Sequence, residues 1–63
     1  MFKFEMKARV VDTLTNYSGT ITARAEFNEH PNKYLVEAID STGRPIEWWV
    51  DENRLVDLHD FED

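Results

Sequence analysis

Apolar and polar side chains alternate with a period of two along several short segments of this chain, and this pattern is the strongest constraint on its fold. In residues 2–10 every second residue is apolar and every residue between is charged. Successive side chains of a β-strand point to opposite faces, so the pattern predicts a half-buried strand. Weaker alternation predicts further strands over 20–27, 34–40 and 46–50. No segment has the length and period of a long helix, which predicts an all-β fold.

Turn-forming residues separate the predicted strands. A loop is predicted over 11–20, where Asn16 and Gly19 can adopt the backbone conformations that a tight reversal needs. Residues 51–55 are predicted to form one turn of 3₁₀ or α-helix with the first residue as N-cap. A short last strand is predicted over 56–60.

These elements fit into one small domain. A chain of 63 residues holds a single domain at most, which we predict over residues 1–60, with 61–63 as a frayed acidic tail. Closing the sheet is the economical way to remove exposed strand edges in so short a chain. The predicted fold is therefore a small five-stranded SH3-like barrel with one 3₁₀ or helical turn before the last strand. A partly open OB-like barrel is the alternative, but it usually needs a longer chain and a helix between strands three and four.

The composition limits the compartment in which the chain works. Cysteine is absent, which excludes disulfides and thiolate metal sites and fits a reducing compartment. No apolar run is long enough to cross a bilayer, and the charged N-terminal segment lacks the apolar stretch of a signal peptide. We therefore expect a cytoplasmic protein with no membrane partner.

Charge is distributed unevenly along the chain. The formal net charge is −6; residues 1–27 hold four basic and three acidic residues, whereas residues 28–63 hold three basic and ten acidic residues. Nucleic-acid binders carry the opposite balance, which argues against direct binding of DNA or RNA. The basic residues of the first predicted strand could still form a local patch. A nucleic-acid-binding barrel is therefore retained as the weakest of three functional hypotheses.

The chain carries no recognisable catalytic or cofactor motif. Ser18 and Ser41 lie in turn-like segments without a histidine at triad spacing, and the two glycines are too far apart for a phosphate loop. Asp51 and Glu52 are a pair of carboxylates of the kind used in acid–base catalysis. Their positions are better explained if Asp51 is an N-cap and Glu52 lies in a solvated helical turn. The acidic C-terminus lacks the regular ligand spacing of a cation site. We therefore predict a protein that is not an enzyme and has no catalytic residues, metal or cofactor.

A family resemblance rests on two segments, VVDTLTNYSGTITARAEF and NKYLVEAIDSTGRPIEWWVDENRL. They contain a valine-then-aspartate start, a turn ending in glycine, a GTITARAE-like strand, a YLV strand, and an ending of tryptophan, hydrophobic residue, Asp, Glu, any residue, Arg and Leu. This arrangement spans residues 10–55 and resembles small uncharacterised SH3-like barrel proteins of tailed bacteriophages and prophages. The resemblance implies a phage accessory protein in the host bacterial cytoplasm, and it implies no activity. Trp48 departs from the pattern, whose shared tryptophan is Trp49.

Exposed aromatic residues are the remaining candidates for function. Tyr17 lies in the first loop, Tyr34 begins the third strand, and Trp49 shares a strand face with Glu47. Aromatic residues are enriched at protein interfaces, so these four residues are predicted to form a protein-binding patch. Trp48 alternates with Trp49 and is expected in the core with its apolar neighbours. Burial of Trp49 beneath the closing strand is the alternative.

Two functional hypotheses precede the nucleic-acid-binding one. In the first, the chain is a non-enzymatic protein-interaction module that binds a host or phage protein, or a second copy of itself, through the exposed aromatics. In the second, its acidic half mimics nucleic acid and inhibits a host DNA- or RNA-handling enzyme. The predicted acidic surface for that role consists of Asp51, Glu52, Asp57 and Asp60.

Overall fold

The chain folds mainly into short β-strands. A computed structural model describes residues 1–61. In chain order the elements are β1 (Arg9–Asp12), β2 (Tyr17–Ala25), β3 (Lys33–Ile39), β4 (Pro45–Asp51), a 3₁₀ turn (Glu52–Arg54), β5 (Leu55–Asp57) and the one-turn helix α1 (Leu58–Phe61). The five strands form one antiparallel sheet in the order β4-β3-β2-β1-β5, which confirms the predicted β class. Among the described residues, no helix is long and apolar enough to cross a membrane.

Both edge strands of the sheet contribute to one core. The buried cluster draws on all five strands and contains Val10, Ile21, Tyr34, Val36, Val50 and Leu55. β2 pairs with β1 through its first residues and with β3 through its last ones, and its register with β3 shifts between Ile21 and Ala23. Such an irregularity bends a strand. The sheet therefore curls around its core, and residues from β4 and β5 meet in the same cluster.

The strand predicted over residues 2–10 is wrong for most of its length. β1 begins at Arg9, and residues 1–8 form an irregular segment with a turn just before that strand. Phe4 is nevertheless buried in the core, and Phe2 packs against the cluster. The alternation in this segment therefore reflects the core contacts of Phe2, Phe4 and Ala8, whereas Met6 is exposed. The backbone reaches β2 at the end of the segment, where the Lys7 amide donates to the Ile21 carbonyl at 2.8 Å and the Ile21 amide donates to the Ala8 carbonyl at 3.0 Å.

The loop predicted over 11–20 is only a four-residue turn that ends at Asn16. Asn16 has a φ of 66°, which confirms its predicted role in the reversal. The predicted turn role of Gly19 is wrong, since this residue is buried inside β2. A Cβ at Gly19 would lie 2.5 Å from the carbonyl oxygen of Glu37 and 2.6 Å from Cγ1 of Val36. Glycine is required here because β2 and β3 approach each other closely.

The helical turn predicted before the last strand is confirmed as the 3₁₀ turn. Asp51 occupies its N-cap position with extended backbone but makes no side-chain capping hydrogen bond. β5 is shorter than the strand predicted over 56–60, because α1 begins at the fourth residue after the 3₁₀ turn. Of the predicted acidic tail, Phe61 is the last residue of α1, and residues 62–63 lie outside the described part of the chain.

Candidate interaction surface

The two adjacent tryptophans of β4 lie on opposite faces of the sheet. Trp48 is half-buried and packs against the core cluster. Its Nε1 donates a hydrogen bond to Oδ2 of Asp12 at 3.0 Å, and its ring meets the Tyr17 ring edge-on at 6.2 Å between centroids. Trp49 is 51% exposed on the outer face. The assignment of Trp48 to the core side and of Trp49 to the exposed side is therefore confirmed.

Trp48 belongs to a buried polar network centred on Asp12, which the sequence did not reveal. Asp12 is fully buried and accepts hydrogen bonds from Nε and Nη2 of Arg54 at 3.2 and 2.5 Å, and from the Leu14 amide at 3.0 Å. Burial opposes ionisation of Asp12, but these bonds and the one from Trp48 outweigh it and lower the pKa of the carboxyl group. The only sequence signal was an acidic residue directly after two valines. Since this network joins the first turn to β4 and the 3₁₀ turn, Trp48 has a structural role.

The predicted exposure of Tyr34 is wrong, because its side chain is fully buried on the core face of β3. Its hydroxyl donates to the carboxylate of Glu52 and accepts from the amides of Lys3 at 3.0 Å and Phe4 at 3.3 Å. The Phe4 ring packs edge-on against it with 5.5 Å between centroids. Tyr34 therefore anchors the N-terminal segment over the end of the core and is not available to a partner.

The Tyr34–Glu52 pair shows how polar groups are satisfied at this end of the core. Burial, together with the hydrogen bond to Glu52, raises the pKa of the Tyr34 hydroxyl. The same hydrogen bond lowers the pKa of Glu52 against the effect of burial, helped by the Lys3 amide and by Nδ2 of Asn32 at 3.2 Å. Glu52, predicted as part of an acidic surface, thus has a structural role.

The structure does not bring the predicted protein-binding residues together in one patch. Tyr17 is 54% exposed, but it lies against Trp48 and so on the side of the sheet opposite to Trp49. Tyr34 is buried beneath the N-terminal segment. Only Glu47 stays with Trp49, because residues two apart in a strand share a face.

The outer face around Trp49 is ordered in rows across three strands. Trp49 lies opposite Leu35 of β3, and Leu35 lies opposite Ala23 of β2. On one side of this apolar row, Lys33 lies opposite Asp51 and their Nζ and Oδ1 atoms are 3.3 Å apart. On the other side of the row lie the carboxylates of Glu37 and Glu47. We define the Trp49 surface as the apolar row together with these two glutamates; it consists of Ala23, Leu35, Glu37, Glu47 and Trp49.

Glu37 and Glu47 lie directly opposite each other on adjacent strands. Both residues are exposed, and within residues 1–61 neither of them forms a salt bridge. Like charges in this arrangement destabilise a sheet. The Trp49 surface therefore combines a large exposed aromatic ring with two adjacent negative charges that form no salt bridge among the described residues.

The residues of the predicted acidic surface have different environments. Asp51 is half-buried beside Lys33, and Glu52 is bonded to Tyr34. Asp57 is half-buried at the end of β5 and accepts a hydrogen bond from the His59 amide at 2.9 Å, whereas Asp60 is exposed on α1. Among the described residues, no three histidine or acidic side chains are grouped closely enough to hold a metal ion.

Comparison with known proteins gives no relative on which a function could be based. No family model matches the chain, and no curated protein and no solved structure matches it either.

Proposed function

We propose that this chain is a non-enzymatic protein-interaction module of the phage accessory type, built as a small SH3-like barrel, that binds its partner through Trp49. The strand order, the 3₁₀ turn before β5 and the core shared by both edge strands support the barrel. The phage origin is supported by the motif resemblance alone. Binding through Trp49 is supported by its position on the outer face.

The contrast between the two tryptophans carries this proposal. Trp48 is fully accounted for by the fold, since its ring packs on the core and its Nε1 bonds Asp12. Within residues 1–61, Trp49 makes no side-chain hydrogen bond and no aromatic pair, and half of its surface is open to solvent on an edge strand. Tryptophan is among the residues that contribute most to binding energy when a partner covers them.

A capture experiment with single-residue variants tests the proposal. Immobilised wild-type protein is compared with Trp49→Thr, and with Phe27→Thr as matched control, because Phe27 is also an exposed aromatic residue but lies beyond the end of β2. We expect Trp49→Thr to weaken retention of a partner by about 30-fold or more, the usual effect of truncating a central tryptophan. Phe27→Thr should retain the partner. Equal retention by wild type and Trp49→Thr would remove the basis of the proposal.

An acidic mimic of nucleic acid is the second candidate function, supported by the excess of acidic residues in 28–63. The geometry supports it less well, since Glu52 is committed to Tyr34 and Asp51 to Lys33. Salt distinguishes the two functions: a partner held by apolar contact at Trp49 should stay bound in high salt, whereas the partner of an acidic mimic should elute. Failure to capture any nucleic-acid-handling enzyme at low salt would count against the mimic.

A further inference from the structure

We infer that the Trp49 surface binds an arginine-bearing segment of a basic partner protein, with the guanidinium group against the indole of Trp49 and paired with the carboxylates of Glu37 and Glu47. This inference rests on the proposed function, because it specifies the chemistry of the partner at the same surface. It follows from charge, from the aromatic ring and from the exclusion of other occupants.

The charges on the two sides of the apolar row differ. On one side Lys33 compensates Asp51 at 3.3 Å. On the other side Glu37 and Glu47 face each other across β3 and β4, and neither forms a salt bridge among the described residues. The nearest basic residue in this row is Arg9, which lies two strands from Glu37, opposite Thr20. A cation from outside the chain would relieve this repulsion and gain two carboxylate acceptors. The surface is therefore complementary to a positive group.

Trp49 makes arginine a better occupant than lysine. Glu47 and Trp49 are two residues apart on the same face of β4, a spacing of about 7 Å along the strand. A guanidinium plane can stack on an indole and still direct its N–H fork toward adjacent carboxylates. A lysine ammonium is a compact point charge and cannot form both contacts as well. The flanking Leu35 offers apolar surface to the methylene stem of the arginine.

Other occupants are disfavoured by charge. A second copy of this chain would carry its own net charge of −6. A two-fold contact through the Trp49 surface would also place one glutamate pair near its symmetry-related copy. DNA and RNA carry the same sign of charge as the glutamates and would be repelled. The negative charge of the Trp49 surface thus favours a basic protein segment.

A peptide titration followed by NMR tests the inference on the full-length chain. The probe is acetyl-Val-Arg-Val-Arg-Val-amide, and two matched peptides carry lysine or citrulline in place of arginine. We expect saturable shifts of the Trp49 indole N–H and of the Glu37 and Glu47 amides with the arginine peptide. Affinity should fall roughly fivefold with lysine, since stacking is weakened. The citrulline peptide should cause no saturable shift, because it lacks the charge.

Two double variants separate a specific contact from general attraction. Glu37→Gln/Glu47→Gln should weaken binding of the arginine peptide by about tenfold or more, since each removes a charge-assisted acceptor. The control Glu29→Gln/Asp60→Asn removes the same charge at exposed positions outside the Trp49 surface and should stay within about twofold of wild type. Both pairs keep the size of the side chains, so neither should disturb the fold.

Several outcomes would overturn the inference. These are the absence of a saturable shift at the Trp49 indole, equal binding of the citrulline peptide, or an equal loss in the two double variants. Sedimentation of wild type and Trp49→Thr tests for a homodimer. A wild-type dimer that becomes monomeric in Trp49→Thr would show that a second copy occupies the Trp49 surface. If capture of a partner still depends on Trp49 while arginine selectivity is absent, only this inference fails. If capture does not depend on Trp49, the proposed function fails as well.

Discussion

Replacing Asp12 by asparagine tests whether one buried carboxylate holds the two turns of this small fold together. Asp12 accepts four hydrogen bonds, of which those from Leu14 and from Nε of Arg54 reach one oxygen and those from Trp48 and from Nη2 of Arg54 reach the other. Asparagine has the same shape but only one accepting oxygen. Two of the four donors would therefore meet an NH₂ group in place of an acceptor.

The magnitude follows from those two lost bonds and from the lost charge. A hydrogen bond to a charged group contributes about 1.5–3 kcal/mol. The part due to Arg54 must be discounted, because its side chain is 37% exposed and can be solvated again in the variant. We expect Asp12→Asn to lower the free energy of unfolding by about 2–4 kcal/mol. A domain of this length has a total of only about 3–9 kcal/mol, so the variant should lose a large part of its stability.

The pH dependence gives an independent check on the same carboxylate. The pKa of Asp12 is lower in the folded chain than in the unfolded chain. Its stabilising effect is therefore complete above the unfolded pKa of about 3.9 and is lost as the pH falls through the folded value. The difference in stability between wild type and Asp12→Asn should shrink from about pH 7 to about pH 2.

Urea unfolding followed by far-UV circular dichroism at each pH measures this difference. Asp60→Asn is the control, since Asp60 is exposed on α1 and its replacement should change the free energy of unfolding by less than about 0.5 kcal/mol. An Asp12→Asn variant within about 0.5 kcal/mol of wild type near neutral pH would refute the reasoning. So would a difference that stays constant into acid, because it would not arise from the ionised carboxylate.

Three further variants test the packing of the fold. Gly19→Ala should lower the free energy of unfolding by about 1–3 kcal/mol in a urea titration, because its Cβ would overlap the backbone of β3. Tyr34→Phe should speed hydrogen exchange at the Phe4 amide, because that amide loses its acceptor. It should also lower the free energy of unfolding below about pH 10, where the wild-type hydroxyl is protonated in both states. Because the pKa of Tyr34 is raised in the folded chain, this difference should fade as the pH rises through the folded pKa. Trp48→Phe should lower the melting temperature through loss of a half-buried hydrogen bond to the buried Asp12 carboxylate, whereas Trp49→Thr should lower it less, since it loses only a cross-strand contact on the exposed face.

The strands β3 and β4 were predictable from the sequence because local alternation and tertiary pairing agree there. Val36 and Val50 are buried on the core face, as their positions in the alternating pattern predict, and Trp49 is exposed. The same rule failed at Phe2 and Phe4, whose side chains face the core from an irregular segment. Alternation reports which side chains turn inward, and it cannot tell a paired backbone from one that lies across the end of a sheet.

The buried polar contacts were beyond the reach of local patterns, because their partners are far apart in the chain. Asp12 meets Arg54 across 42 positions, and Tyr34 meets Glu52 across 18. A tyrosine or carboxylate can enter a core only when such partners satisfy its polar atoms. Since the partners of Tyr34 were not visible in the sequence, its burial was not predicted, and the predicted patch that included it was wrong.

The glutamate pair on the Trp49 surface differs from these networks because nothing in the described fold depends on it. Asp12 and Glu52 accept hydrogen bonds that close the core, whereas Glu37 and Glu47 face each other and repel. Glu37→Gln/Glu47→Gln should therefore raise the free energy of unfolding by a few tenths of a kcal/mol in a urea titration. A local arrangement that lowers stability is what a binding site is expected to show. If the double variant proves less stable than wild type, the glutamate pair has a role in the fold, and repulsion between the two carboxylates no longer supports an arginine partner.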